Sequence, residues 1–174
     1  TRNACQPAKG GPFSYDAWVK GLTAGRSVAT NGPLLELEAG GKGLGETLRL
    51  DAPGEVAVKT RAEASVPLSR VSLVFNGQVI ATGAQEQNVR LARGGWLSLR
   101  AYGPGGLQAN TSPIYVEVAG KRWTSSDDAD YFLGWIDRLE EKLNARDRLP
   151  SPELKARVRG QLDAARAVYR ALKP

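Results

Sequence analysis

From Leu35 onward the chain alternates apolar and polar positions in short runs. Leu35, Leu37 and Ala39 alternate with Glu36 and Glu38, the period of a strand with one buried face. Thr47-Leu48-Arg49-Leu50 repeats it. Val56, Val58, Thr60 and Ala62 follow Ala52-Pro53-Gly54, a sequence suited to a type II turn. Val71–Phe75 and Gln78–Ala81 flank Asn76-Gly77, the strongest short hairpin signal in the chain because both residues tolerate positive φ. Val89–Leu91 and Trp96–Tyr102 predict another pair across Arg93-Gly94-Gly95. Ile114–Val118 closes the series after a Gly/Pro-rich loop. About seven to eight strands with turns roughly ten residues apart predict a mainly β fold, an immunoglobulin-like antiparallel β-sandwich. A closed barrel is the alternative.

On either side of this region the period is helical. Tyr15, Trp18 and Leu22 make one stripe, Ser14 is placed to cap it, and Gly25 to stop it. Nine residues or so of helix persist only when docked, and Trp18 is the expected anchor. Phe132, Ile136, Leu139 and Leu143 form a second stripe with Tyr131 and Trp135 beside it. Asp127, Asp128 and Asp130 stand near its N-terminus, where the helix dipole favours acids. Pro150 stops that helix. Ser151-Pro152-Glu153 restarts a third, with N-cap, N1 proline and acid in order. Its stripe is Leu154, Val158, Leu162, Ala165, Tyr169 and Leu172. The short connection predicts an antiparallel helical hairpin. The expected organisation is a linker and short amphipathic helix over 1–24, a β-sandwich over 25–122, and a helical hairpin packed on it over 123–174. Residues 1–13, with Pro7, Gly10, Gly11 and Pro12, read as a tail.

Composition narrows the chemistry. The 174 residues include no histidine and one cysteine. Histidine-based acid–base catalysis, Ser-His-Asp and Cys-His nucleophiles, and His-ligated metals are therefore excluded for this chain. Cys5 allows no internal disulfide and reads as an incidental thiol, or as an intermolecular or reactive one. The 24 basic residues against 18 acidic ones give a net charge of +6. They are dispersed, and Lys155, Arg157 and Arg159 share their helix with Glu153 and Asp163. With no nucleic-acid-binding motif present, this reads as a solvated basic surface or one for an anionic partner, not for nucleic acid. No run approaches the roughly 18 apolar residues of a membrane helix.

Candidate sites are few. Asp127, Asp128 and Asp130 lack calcium-loop spacing and read as helix N-terminal acids. Glu36 and Glu38 read as the wet face of a strand. Gly103-Pro104-Gly105-Gly106 lacks the lysine of a phosphate loop and reads as a turn. Trp96, Tyr102, Tyr115 and Trp123 suit either core packing or a sugar-binding platform. Trp123, beside Lys121 and Arg122, stands apart because it follows the last strand.

One stretch has the look of a signature. Tyr15-Asp16-Ala17-Trp18, Gly21-Leu22 and Gly25-Arg26-Ser27-Val28-Ala29-Thr30-Asn31-Gly32-Pro33-Leu34-Leu35 resemble the element that leads out of the catalytic barrel in PHP-type (polymerase and histidinol phosphatase) metal-dependent hydrolases. The branch is the carbaryl-hydrolase-like one (CehA/McbA type). Val66–Gly77, Asp127–Asp137 and Ala165–Tyr169 resemble its C-terminal β-sandwich region, so the likeness spans most of residues 14–172. The resemblance implies a non-catalytic accessory domain, a fragment or a stand-alone piece, whose partner is the metallohydrolase barrel of the same polypeptide. It implies no cofactor, metal ligand or catalytic residue in this chain, and by analogy a bacterial extracytoplasmic setting. Arg26 and Asn31 are then expected on the active-site side, for positioning or anion contact. The alternative is a carbohydrate- or envelope-surface-binding module that uses Trp96 and Trp123 for an anionic or glycan ligand.

Overall fold

The computed structural model describes residues 2–5 (as backbone), 14–145 and 149–173. The chain forms two compact units, Thr1–Trp123 and Thr124–Pro174. The first is sheet-rich. In order it contains β1 (Arg2–Cys5), α1 (Tyr15–Thr23), β2 (Ser27–Thr30), β3 (Leu34–Ala39), β4 (Thr47–Leu50), β5 (Gly54–Glu63), β6 (Arg70–Phe75), β7 (Gln78–Thr82), β8 (Glu86–Leu91), β9 (Gly95–Tyr102), β10 (Gln108–Thr111) and β11 (Ile114–Val118). The second contains α2 (Ser126–Ala145) and α3 (Pro152–Ala171).

Two largely antiparallel sheets share one core. The smaller has the order β3-β5-β8, the larger runs β1-β2-β10-β9-β11-β4, and the β6–β7 hairpin joins it through β9. The alternation read in the sequence sets the faces: Leu35, Leu37 and Ala39 are buried on β3, and Val56 and Val58 on β5. They meet Leu73, Leu97, Leu99, Ala101, Ile114 and Val116 of the other sheet. Glu36 and Glu38, on the opposite face of β3, stand across from Arg61 and Lys59. Opposite charges on facing strands suit a wetted sheet surface.

One pairing is parallel, β11 with β4. It arises where β10 and β11, which share one edge of β9, part at Ser112-Pro113. Proline has no N–H to give. The Thr111 hydroxyl accepts the Leu99 N–H at 2.9 Å, Ser112 N–H reaches Ser27 O at 2.8 Å, and Pro113 O accepts from Gly45. The backbone groups around the break are thus satisfied.

Local signals set the ends of the helices. The Ser14 side chain accepts from Ala17 N–H at 3.1 Å and Gly25 follows α1 at φ 70°. Ser125 accepts from Asp128 N–H and Ser151 from Leu154 N–H, both at 3.1 Å, with Pro152 opening α3. Phe132 stacks on Tyr169 with 5.1 Å between centroids. Asp137 pairs with Arg166 and Asp130 with Lys173. Early α2 thus meets late α3, so the two helices run antiparallel.

Four details differ from the sequence expectations. Residues 2–5, read as part of a tail, pair with β2 as β1; the rest of that tail lies outside the described residues. The strands β8 and β9 are not partners across Arg93–Gly95: β8 pairs with β5, and β9 pairs with β6, β10 and β11. The connection is a crossover between sheets, which local periodicity does not distinguish from a hairpin. The strands β2 and β10, unmarked in the sequence, pair with each other. Gly54 starts β5 without a positive φ, so Ala52-Pro53-Gly54 is not a type II turn.

Candidate functional site: an aromatic groove over β4, β11 and β9

The side chains of Trp96, Tyr115 and Thr47 lie side by side on three neighbouring strands, because Tyr115 is in register with Trp96 on one side and Thr47 on the other. Two residues along, on the same face, Glu117 stands across from Arg49. Cross-strand neighbours of this kind lie about 5 Å apart at Cβ. After β11 the chain turns back through Ala119 (φ 51°) and Gly120 (φ 71°), and Val118 and Lys121 exchange backbone hydrogen bonds. Two consecutive positive φ values make this a type I′ hairpin turn. It returns Arg122 to Glu117 and brings Trp123 alongside Trp96. The resulting groove, about 470 Å³, is lined by Trp96, Tyr115, Glu117, Arg122 and Trp123, with Thr47 and Gly95 among the remaining walls.

Two glycines and one asparagine hold this geometry. A Cβ on Gly94 would lie 2.5 Å from Lys121 O and 2.9 Å from Trp123 N, so only glycine lets the returning chain approach. A Cβ on Gly95 would fall 2.2 Å from the Asn76 amide oxygen. That oxygen accepts the Trp96 N–H at 3.0 Å, the Asn76 amide donates to Gly94 O at 3.3 Å, and Asn76 N–H donates to Trp96 O at 3.1 Å. The turn residue that signals the β6–β7 hairpin (φ 48°) thus also clamps the strand carrying Trp96.

The groove has a charged floor. Glu117, with a side chain 12% exposed, accepts from Arg49 Nε at 2.9 Å and Arg122 Nε at 2.7 Å. The Arg122 hydrogen bond, helped by the charges of both arginines and the Arg49 hydrogen bond, holds its carboxyl below the usual glutamate range against the opposing effect of burial. Each arginine spends only Nε on Glu117, and their side chains are 70% and 80% exposed. Both pairs of terminal nitrogens remain open. The indole N–H groups of Trp96 and Trp123 and the Tyr115 hydroxyl make no hydrogen bond among the described residues.

Trp96 and Trp123, singled out in the sequence, are therefore brought together. Core packing does not account for them, since neither belongs to the buried core, and Tyr115 is 50% exposed. Tyr102 instead lies under Arg70, with the guanidinium 4.5 Å from its ring centroid. Arg26 and Asn31 do not line the groove. The Asn31 side chain donates to Gly106 O at 2.9 Å and accepts Gln108 N–H at 2.7 Å, tying the Gly103–Leu107 turn to β2. Arg26 Nε is buried without a hydrogen-bond partner. Glu117, Arg49 and Arg122 were not singled out in the sequence. The one cue to them was the Ala119-Gly120 pair just after an alternating strand.

Among the described residues no three Cys, Asp or Glu side chains converge as a metal site, and no helix is long and apolar enough to cross a membrane. No family model, curated protein or solved structure matches the chain.

Proposed function

We propose that this chain is a non-catalytic accessory domain of a PHP-type metal-dependent hydrolase, an immunoglobulin-like sandwich with a helical hairpin that packs on or completes the catalytic barrel. The support, besides the sequence resemblance, is the way the Gly25–Leu35 stretch is built in. Gly25 packs on Gly45, whose own Cβ would fall 1.9 Å from Ala24 O. The Thr30 hydroxyl accepts Gly32 N–H at 3.0 Å and donates to Pro33 O at 2.6 Å, and Pro33 is fully buried. A domain joined through α1 is thus fixed to the sheet at the end of that helix. Arg26, with its buried and unpartnered Nε, lies in this join, where an acceptor from an adjoining domain would serve it.

The test compares this chain with the polypeptide encoded by its complete reading frame. The chain alone is expected to bind no transition metal tightly and to hydrolyse nothing. The longer polypeptide is expected to do both and to lose turnover when Arg26 is replaced by alanine. A start codon immediately before Thr1, or tight binding of two metal ions by the chain alone, overturns the proposal.

The groove favours a second role for the same domain, that of a carbohydrate-binding module. Two aromatic side chains on one face of the sheet, with Trp123 from the returning chain beside them, offer the apolar surface that a sugar ring needs.

A further inference from the structure

The geometry of the aromatic groove points to a narrower ligand: a glycan whose sugar rings carry carboxylates, a uronic acid oligosaccharide. This rests on the binding-module role and not on the metallohydrolase one. A volume of about 470 Å³ lies within the usual range of roughly 300–1,000 Å³ for small-ligand sites. Trp96, Tyr115 and Trp123 supply electron-rich ring faces, and the axial C–H bonds of a pyranose present the matching positive edge. Their three unpartnered N–H and O–H groups are available to ring hydroxyls. Glu117 has two oxygens with about four acceptor sites, of which Arg49 and Arg122 use one on each oxygen. The others can accept sugar hydroxyls.

Charge selects among sugars. At the groove two guanidinium groups, Arg49 and Arg122, flank one carboxylate, Glu117. Arg122 lines the groove itself and holds its two terminal nitrogens open beside Trp123. A guanidinium engaged through Nε alone keeps the forked edge that binds a carboxylate through two parallel N–H bonds. Glu117 fixes that fork in place, so less side-chain entropy is lost when a ligand carboxylate arrives. A neutral sugar would use the rings and Glu117 and leave the fork idle. An acidic peptide would use the fork and leave the rings unused.

The experiment is a titration of the whole chain, followed by tryptophan fluorescence and by calorimetry. The probes are trigalacturonate, cellotriose as the neutral trisaccharide, and a hexaglutamate peptide. Trigalacturonate is expected to bind saturably, to shift the emission, and to weaken as salt rises. Cellotriose and hexaglutamate are expected to bind at least tenfold more weakly. Arg122→Gln, at an exposed position that leaves the strands untouched, is expected to reduce trigalacturonate affinity about tenfold or more with cellotriose unchanged. Tyr115→Ala is expected to weaken both sugars, with circular dichroism confirming the fold. If cellotriose binds as well as trigalacturonate, or Arg122→Gln has no effect, the acidic-sugar assignment fails while the carbohydrate role survives. If neither sugar binds, both fail. Equal binding of hexaglutamate shows a general anion site and overturns the proposal.

Discussion

In the β-sheet unit Leu73, Leu91, Leu97, Leu99 and Ile114 are fully buried and belong to one continuous core drawn from both sheets. In the helical unit, among the described residues, only Ala129 and Ile136 are buried and α3 buries none. Beside the Phe132–Tyr169 stack, the helices are joined at their charged positions. Arg166, 12% exposed, reaches Glu140 at 2.5 Å, Asp137 at 2.8 Å and Asp163 at 2.9 Å, while Arg159 adds a longer pair to Glu140 at 3.4 Å. The hydrogen bonds that Arg166 donates to Glu140 and Asp137 hold the guanidinium more firmly protonated than usual, outweighing partial desolvation. An isolated surface pair contributes little, but a network around one well-held arginine contributes more. Both units come from clear periodic patterns, so periodicity alone does not reveal which kind of interaction holds an element.

The largest effect expected of this difference is in the core. Leu99→Ala leaves a cavity between two sheets that are too constrained to collapse, and should cost about 2–5 kcal/mol in urea unfolding. Ile136→Ala, on a helix with few buried neighbours, should cost clearly less. An equal loss would show that the hairpin is held by a core after all.

Arg166→Gln comes next. It removes the shared donor of three carboxylates and leaves them facing one another. The amides of α2 and α3 should exchange faster, while those of β9 keep their protection. Molar salt acting on the unaltered protein should shift protection in the same direction. If exchange in the helices is indifferent to both changes, the ion network is not what holds them.

Much of this organisation was legible in the residues, and its gaps have physical causes. The pattern Leu35-Glu36-Leu37-Glu38-Ala39 has one face to bury and becomes β3. Asn76-Gly77 allows only a tight turn and makes one. Ser14, Ser125 and Ser151 cap the three helices by local hydrogen bonds that depend on nothing distant. The strands β2 and β10 escaped notice because each has one buried apolar residue, Val28 and Ala109, and owes its conformation to pairing across the chain. Trp96 and Trp123 stood out as large aromatics. Their convergence depends on Gly94, the Ala119-Gly120 turn and the antiparallel β9–β11 pairing, none of which a strand pattern encodes.

A smaller effect is expected at the start of α3. Ser151→Ala removes the acceptor for Leu154 N–H and should cost about 1 kcal/mol, confined to faster amide exchange in the first turn of α3. Glu153, whose carboxyl is held below the usual range by its own backbone N–H and then by Ser151, should titrate closer to an ordinary glutamate in that variant. NMR titration of its carboxyl carbon reads this directly.

The smallest effect belongs to Glu117, the centre of a three-residue ion group in the β-sheet unit. Its carboxyl is depressed in the folded chain, so its two arginine partners favour the folded state only while it is ionised. That contribution is fully present above the ordinary glutamate value of about 4.3 and is lost as pH falls through the lower folded value. Both arginines are largely exposed, so solvent screens the interaction and the change in global stability should be slight. Its local consequence should be easier to see. Once Glu117 is protonated, Arg122 loses the anchor that fixes it beside Trp123, and tryptophan emission should shift in the acid range before the sheets unfold. In Glu117→Gln, which keeps the shape and removes the charge, this early acid shift should be absent while the later unfolding transition remains. An early shift that persists in Glu117→Gln would assign it to other carboxylates. The Glu117 ion group would then add nothing measurable to the β-sheet unit, and the contrast of that unit with the ion-linked helices would sharpen.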